Sequence, residues 1–480
     1  MKSQRNIRFQ EFAELINIEF KIAQLKLLRS SFVNFFLILV FHFFHGEVSK
    51  AEGYNPPSDA IVHLFNYPFS KIEKQLPEIA DTGFRYIQIS PPQLSREGKA
   101  WYYRYQPLDY RIIDGPLGTK TDLKRLIDKA REYQIGIIAD VVLNHMADLG
   151  EDYDLTYPPK WVQKTYGVSE LFNESNFHPA FCIDNYNNQE EVRKGRLCKA
   201  GESTGGLPDL DLTQEIVFQE QVRYLDNLSR LGIAGFRFDA AKHMEIEYFQ
   251  RIMNETSVSR KLVFAEIIAQ RQTYDKELSP YLSHTNLKLM DFPLQTTMKD
   301  AFSWQGDLRW LFAGEKYKAA LPGERSISFV VNHDIPNNRE FEHLILDEVD
   351  EALAHIFLFA RAGGTPHIYS DLGKSDGLSS NRWKDYHKSR IVKEGVKFHN
   401  LTYGASEEVL YADSCAIVIR RGREGVAAIN KCSKSITATL YSQLSGEFID
   451  LLSGDSPETL NEGRQLILPG RSGQLYIKKK

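Results

Sequence analysis

Gly235-Phe-Arg-Phe-Asp239, Leu262-Val-Phe-Ala-Glu266 and Ser328-Phe-Val-Val-Asn-His-Asp334 share one pattern: a short apolar run that stops on an acid. An apolar run of this length reads as a buried strand. A carboxylate at its end is not core material, because an unpaired buried charge is costly. Three such endings predict parallel strands that deliver Asp239, Glu266 and Asp334 to a common rim, where a barrel enzyme keeps its chemistry.

Working outward from these runs, short apolar stretches alternate with amphipathic ones. Strands are predicted at 61–65, 85–90, 136–143, 234–239, 262–266 and 287–290, at a run ending near Asn332, and at 366–369. Helices are predicted around 72–79, at 121–133 with Thr121 as cap, at 215–231, at 348–362 and at 385–399. A fully apolar strand between helices implies a parallel sheet covered on both faces. Eight strand–helix units make a (β/α)8 TIM barrel. Residues 146–206 break the alternation, being rich in Asn, Asp, Tyr, Pro and Gly, and are too long for a connecting loop. The predicted organisation is therefore a first barrel part at 52–145, an inserted domain at 146–206, a second barrel part at 207–403, and a C-terminal antiparallel β domain at 404–480, read as a sandwich.

The chain has 480 residues, 42% apolar and 25% charged, with a net charge of −4. These values fit a soluble globular protein and argue against a nucleic-acid partner, which would need a basic excess. The most apolar stretch, 32–44, is too short for a membrane span and follows Lys21, Lys26 and Arg29. It reads as the core of a secretory signal occupying 1–51 and cleaved near Ala51, which implies a secreted chain with no stable membrane association after cleavage. An uncleaved anchor is the rival reading, and the long basic region leaves open a true start later than Met1. Four cysteines are present. Cys415 and Cys432 flank a predicted hairpin, while Cys182 and Cys198 share a loop-rich stretch; each pair is open to bonding or to remaining as thiols.

Two carboxylates facing one glycosidic bond suffice for glycoside hydrolysis, provided one is ionised and the other holds a proton. Arg237 stands two residues before Asp239 and shares its strand face, so it is expected to keep Asp239 ionised. Glu266 follows Val263, Phe264 and Ala265, a less polar setting that would raise its pKa.

The residues on these strand ends resemble those of the α-amylase family of glycoside hydrolases. Five short regions carry the resemblance: Asp140-Val-Val-Leu-Asn-His145, Gly206-Leu-Pro-Asp-Leu-Asp211, Gly235-Phe-Arg-Phe-Asp-Ala-Ala-Lys-His243, Phe264-Ala-Glu266 and Phe329-Val-Val-Asn-His-Asp334. They lie in the family's order within a match over roughly 56–480. The resemblance implies an endo-acting α-1,4-glucan hydrolase with retaining chemistry. Asp239 would be the nucleophile and Glu266 the general acid and base; Asp334 would hold hydroxyls and distort the ring. His145, Arg237 and His333 would line the same subsite. Trp101, Tyr105 and Gln106 would meet the sugar being cleaved, and Lys242 and His243 the leaving-side sugars. A structural Ca2+ is implied, with Asn144 and Asp209 giving side-chain oxygens and His243 and Arg193 backbone carbonyls.

One departure concerns chloride, which animal-type members bind with two arginines and an asparagine. Arg237 and Asn332 fit two of those positions, but Pro366 stands at the third and offers an anion nothing. Chloride is not expected. The partner is an α-glucan and the chain is expected to be a monomer. Rival readings are a maltogenic, transglycosylating or α-1,6-acting relative, or a non-catalytic membrane-anchored one. Residues 404–480 contain no Trp, so a cap on the barrel is expected there rather than a starch-binding module.

Overall fold

The computed structural model describes residues 58–150, 153–199, 205–373, 381–440, 444–454 and 457–479. The expected leader over 1–51, with its run at 32–44, lies outside them. Among the described residues no helix is long and apolar enough to cross a membrane.

Eight parallel strands close into a barrel. They are β1 (Ile61–Leu64), β2 (Tyr86–Ile89), β3 (Gly136–Val141), β4 (Gly235–Phe238), β5 (Leu262–Ala265), β6 (Lys288–Met290), β7 (Ser326–Ser328) and β8 (Thr365–Ser370). β8 pairs with β1 to complete the ring, placing His367 beside Ile61. Every residue of β1, β4 and β8 is buried, as strands covered on both faces must be. The (β/α)8 barrel expected from the alternation is thus the observed fold.

Local chemistry moved some of the expected boundaries. The helix expected at 121–133 runs Lys120–Glu132, and its cap is Thr119, not Thr121. The Thr119 hydroxyl accepts from the Asp122 N–H while the Asp122 carboxylate accepts from the Thr119 N–H. This reciprocal box needs an acid three residues after the cap, and Thr121 has Lys124 there. The helix expected at 385–399 runs Arg390–Leu401 and starts at Ser389, whose hydroxyl accepts from the Val392 N–H. The seventh strand does not reach Asn332. It stops at Ser328, and Phe329 is buried by packing edge-on against Phe292 rather than by ladder bonds. Asn332 then accepts from the Asp334 and Ile335 N–H groups and starts a short helix, Asp334–Asn337.

The C-terminal region has a six-stranded antiparallel sheet and a two-stranded one. Its central hairpin pairs β9 (Ala416–Arg421) with β10 (Gly425–Asn430). Ile417, Ile419, Ala427 and Ile429 join the barrel's core, whereas Val418, Val426 and Ala428 join a second core with Phe448, Leu466 and Leu468. Alternate residues of a strand face opposite ways, so both faces of this sheet are dry. That explains why the hairpin strands are almost wholly apolar. Cys415 bonds Cys432 across the base of the hairpin, and Cys182 bonds Cys198 in the insert, which decides both open pairings in favour of disulfides.

Candidate active site

The strand-end acids owe their positions to the barrel ladder continuing one rung past the strands. The Asp239 N–H donates to the Val141 carbonyl and the Glu266 N–H to the Phe238 carbonyl, each at 3.0 Å. The two acids therefore stand on neighbouring strands at the same end. Directly after Asp239 the backbone of Ala240 takes the left-handed conformation, with φ of 47°. A residue other than Gly is strained in this region, and such residues gather at functional turns. Nothing in the sequence signalled it.

Arg237 is the hub beneath these acids. It lies opposite Asp140 on the adjoining strand and two residues before Asp239. Its Nη1 donates to Asp140 Oδ1 at 2.8 Å and to Asp239 Oδ1 at 2.6 Å, and its Nη2 lies 2.5 Å from Glu266 Oε1. Arg237 was expected to keep Asp239 ionised; it does bond Asp239, but burial outweighs its pull and the pairing is not exclusive. Three carboxylates share one guanidinium, which is 1% exposed. Arg237 was also expected to line the subsite; it lies under the acids instead, because an inward side chain at its level points into the barrel core.

Burial pushes both Asp239 and Glu266 above the ordinary carboxylate range, and Arg237 pulls both back down. The two differ in that the Asp239 charge raises Glu266 further. Both groups thus hold their protons to higher pH than an ordinary carboxyl. Asp334 is raised well above its usual value by burial and then by the Glu266 charge. Asp140, which also accepts from Tyr105 Oη at 3.1 Å and Gln88 Nε2 at 3.3 Å, is pushed up to about 7 mainly by burial.

The histidines here are neutral at neutral pH. Burial lowers His145 and His243 to about 4 and His333 well below its usual value. His145 Nε2–H donates to the Tyr105 carbonyl at 3.0 Å, tying the third strand end to the aromatic segment. His243 Nδ1–H donates to the Val192 carbonyl at 2.9 Å, which leaves its Nε2 as an acceptor. Tyr105 stacks on His333 with ring centroids 5.0 Å apart, and Trp101 meets both edge-on.

These groups open onto a cleft of about 380 Å³. Of the residues singled out from sequence, Trp101, Tyr105, His145, Asp239, Lys242, His243, Glu266, His333 and Asp334 line it. Gln106 does not; its side-chain oxygen faces Arg96 Nη1 at 3.3 Å. Lys242 bonds Glu277 at 2.9 Å and the Ile268 carbonyl at 3.2 Å, so it stands fixed at the mouth. Tyr186 from the insert and Phe341 after the seventh strand also line the cleft and were missed, since neither lies in a periodic segment.

Of the residues expected to hold calcium, Asn144 and Asp209 meet. Asn144 Nδ2 donates to Asp209 Oδ1 at 2.8 Å, and the Leu210 N–H donates to the Asn144 carbonyl at 2.9 Å. Asp209 is 1% exposed, and burial pushes its carboxyl up to about 7 although His178 Nδ1 donates to it at 2.7 Å. A buried carboxylate this poorly compensated, beside a free amide oxygen, fits a hard cation. No group of three or more His, Cys, Asp or Glu among the described residues could hold a metal. The Arg193 side chain lines a neighbouring cleft, where its charge acts on Glu245 and Tyr281. The arginine whose charge acts on Asp209 is Arg196. His178 gave no sequence signal, lying in the aperiodic insert.

The family model described as alpha amylase, catalytic domain, matches residues 69–392. The chain is 35% identical over 395 residues to an α-amylase of Aeromonas hydrophila, covering 78% of this chain and 84% of that one. Among solved structures, it is similar to α-amylase I of Eisenia fetida, a mutant of which is in complex with maltohexaose. The TM-score there is 0.70 at 23% identity, covering 88% of this chain and 95% of that one. A cyclomaltodextrin glucanotransferase superposes equally, with a TM-score of 0.70 at 20% identity, covering 88% and 99%. Identities this low speak for the fold alone, and the fold is common to a hydrolase and a transferase.

Proposed function

This chain belongs to the α-amylase family of glycoside hydrolases, and on that premise we propose that it is an endo-acting α-amylase cleaving internal α-1,4 bonds of starch-like glucans with retention. The observation that carries this reading is Asp239 and Glu266 held on one guanidinium at the rim of the barrel. Both carboxyls lie within 2.6 Å of one guanidinium, an arrangement compatible with the short separation that retention needs. Asp239, ionised, attacks the anomeric carbon as Glu266 gives its proton to the departing oxygen. Glu266, now a carboxylate, takes a proton from the water that frees the sugar from Asp239. Asp334 holds ring hydroxyls, and the Tyr105 face supports the sugar. Lys242 and the His243 Nε2 acceptor stand where the leaving-side sugars would lie.

The test is product analysis on soluble starch. Rapid viscosity loss with linear α-anomeric oligosaccharides is expected. Cyclic or chain-lengthened products would replace the hydrolase reading with a transglycosylase, and a single short product with a maltogenic enzyme.

Export is part of the proposal, supported by the apolar run at 32–44 and by two disulfides, which persist in oxidising compartments. Action as a monomer on α-glucan, without a nucleic-acid partner, is proposed with it.

Calcium is proposed as a structural ion held by Asn144, Asp209 and backbone carbonyls that include that of His243. It would supply the positive charge that the buried Asp209 lacks. Asp209 is raised from 3.8 to about 7, so without the ion its contribution to stability is full below 3.8 and is lost as pH rises through 7. The gain from calcium runs the other way. Calcium at a hundred times its Kd should add about 2.7 kcal/mol near pH 8 and much less near pH 5. Thermal unfolding with calcium and with a chelator at both pH values checks this; equal shifts at both would remove Asp209 from the site.

Chloride independence is proposed as well. Pro366 stands in β8 opposite Ser328 and can place no second cation beside Arg237 and Asn332. Full activity in chloride-free buffer is expected, and activity that rises with added chloride would contradict it.

A further inference from the structure

Lys242 stands at the mouth of the catalytic cleft, and its anchor is a carboxylate that the reaction above does not use. Glu277 closes a short helix, Tyr274–Glu277, in the segment that follows the fifth strand and Glu266. Its Oε1 lies 2.9 Å from Lys242 Nζ, and its Oε2 accepts from the Thr273 hydroxyl at 2.7 Å. The Glu277 side chain is 7% exposed and that of Lys242 20%, so a buried acid holds a cation that reaches out to the cleft. The Ile268 carbonyl accepts from the same ammonium at 3.2 Å. An ammonium has three donors, so one remains for a sugar hydroxyl with the carboxylate and the carbonyl in place.

The residue before Glu277 ties the same helix to the insert. Lys276 Nζ donates to the Asn187 carbonyl, and Gln189 Nε2 donates to the Lys276 carbonyl at 3.1 Å. Tyr186, next to Asn187 in the chain, has its ring 5.9 Å from Lys242 Nζ and 6.2 Å from the His243 ring. Tyr186 and Lys242 line both the catalytic cleft and an adjoining hollow of about 280 Å³, which Glu277 also lines. A glucan that continues out of the cleft on this side runs past both. A lysine side chain is long and rich in rotamers, and its ammonium is strongly hydrated. Left free at the mouth, it would have to be ordered and dehydrated whenever a sugar covered it. Paired with a buried carboxylate, it is already ordered and partly dehydrated before the ligand arrives.

We propose that Glu277 is a positioning residue for the cleavage reaction. It acts through Lys242, whose ammonium it fixes against the sugars on the leaving side. It thereby sets how firmly those sugars are held and where along the glucan the cut falls. Glu277 does not itself line the catalytic cleft, so its effect reaches the substrate only through what it holds in place. The inference rests on the α-glucan reading of the active site.

The test uses the full chain with Glu277→Gln, with Lys242→Met and with both combined. Values of kcat and KM are measured on maltoheptaose, which places sugars on the leaving side, and on α-maltotriosyl fluoride, which places none there. Glu277→Gln should lower kcat/KM on maltoheptaose by about tenfold, mainly through KM, a size usual for coupled neighbours. That loss should exceed the loss on the fluoride at least about fivefold, because only maltoheptaose meets Lys242 on the leaving side. From maltoheptaose labelled at its reducing end, the labelled fragments should become shorter. On the Lys242→Met background, Glu277→Gln should bring no further loss on maltoheptaose. Equal losses on the two substrates would mark Glu277 as merely structural and overturn the proposal. Losses that multiply in the combined variant overturn it too, since Glu277 would then not act through Lys242. Should Glu277→Gln fail to fold, Glu277→Asp keeps the charge but draws it back from Lys242, and the same comparisons decide. An unsubstituted protein that leaves both substrates intact overturns the α-glucan reading and this inference with it; the adverse results in an active protein overturn the inference alone.

Discussion

Glu266→Gln is expected to lower kcat on starch by roughly 10²–10⁴, the range that a positioned general acid supplies. The amide keeps the shape and the backbone anchor to Phe238 but holds no transferable proton. A control separates lost acid from lost fold. A glucosyl substrate whose leaving group needs no proton, such as a fluoride, should form the covalent intermediate at close to the normal rate in this variant. Asp239→Asn should fail on both substrates, by on the order of 10⁴–10⁶, because a nucleophile has no substitute. If Glu266→Gln lost both activities and Asp239→Asn kept the activated one, the two roles would have to be exchanged. The pH profile should agree. Glu266 is raised by burial and by the Asp239 charge, so activity should persist above the ordinary glutamate pKa and fall as pH rises through the elevated value. The acid limb should follow Asp239, itself raised by burial, and should fall as pH drops through its value.

Arg237→Ala is expected to cost both activity and fold. Removing one partner from a buried ion pair leaves an uncompensated charge and costs about 3–5 kcal/mol. Here a single deletion strips the cation from Asp140, Asp239 and Glu266 together. With Arg237 absent, the downward pull on all three carboxyls disappears and only burial and mutual repulsion remain. Asp239 would then stay protonated to higher pH and could not attack. The expected signature is an acid limb displaced upward together with a lower midpoint of thermal unfolding. Arg237→Lys should recover part of the stability but little rate, since an ammonium is a point charge and cannot bridge two carboxylates with a planar fork. An unfolding midpoint unchanged in Arg237→Ala would show that the carboxyls had simply taken up protons, and the hub reading would fall.

The barrel was legible because its signal is local. Burial on both faces leaves β3 apolar but for Asp140, β4 apolar but for Arg237 and β5 wholly apolar, and the acid that follows β4 and β5 interrupts the run visibly. The i, i+2 spacing of Arg237 and Asp239 likewise fixes a shared strand face, and their hydrogen bond follows from it. Even here the residues from Phe329 to Asn332 were read as strand, although the seventh strand stops at Ser328, because Phe329, Val330 and Val331 are buried whatever their backbone does. Periodicity reports burial; it does not report which hydrogen bonds the backbone makes.

What the sequence determined by itself was therefore the architecture, the ends of strands at which the acids stand, and the identities of the acids. Each depends on residue type and spacing within one segment. Only the tertiary structure decided what lies between segments. That Glu266 leans on the same guanidinium as Asp239, that Gln106 turns to Arg96, and that His178 pairs with Asp209 all depend on side chains far apart in sequence. The grip of Lys431 on the Ser303 carbonyl spans more than a hundred residues and two regions of the fold. No local pattern encodes such contacts, because the energy that selects them is collective packing and desolvation, which exists only once the chain has closed on itself.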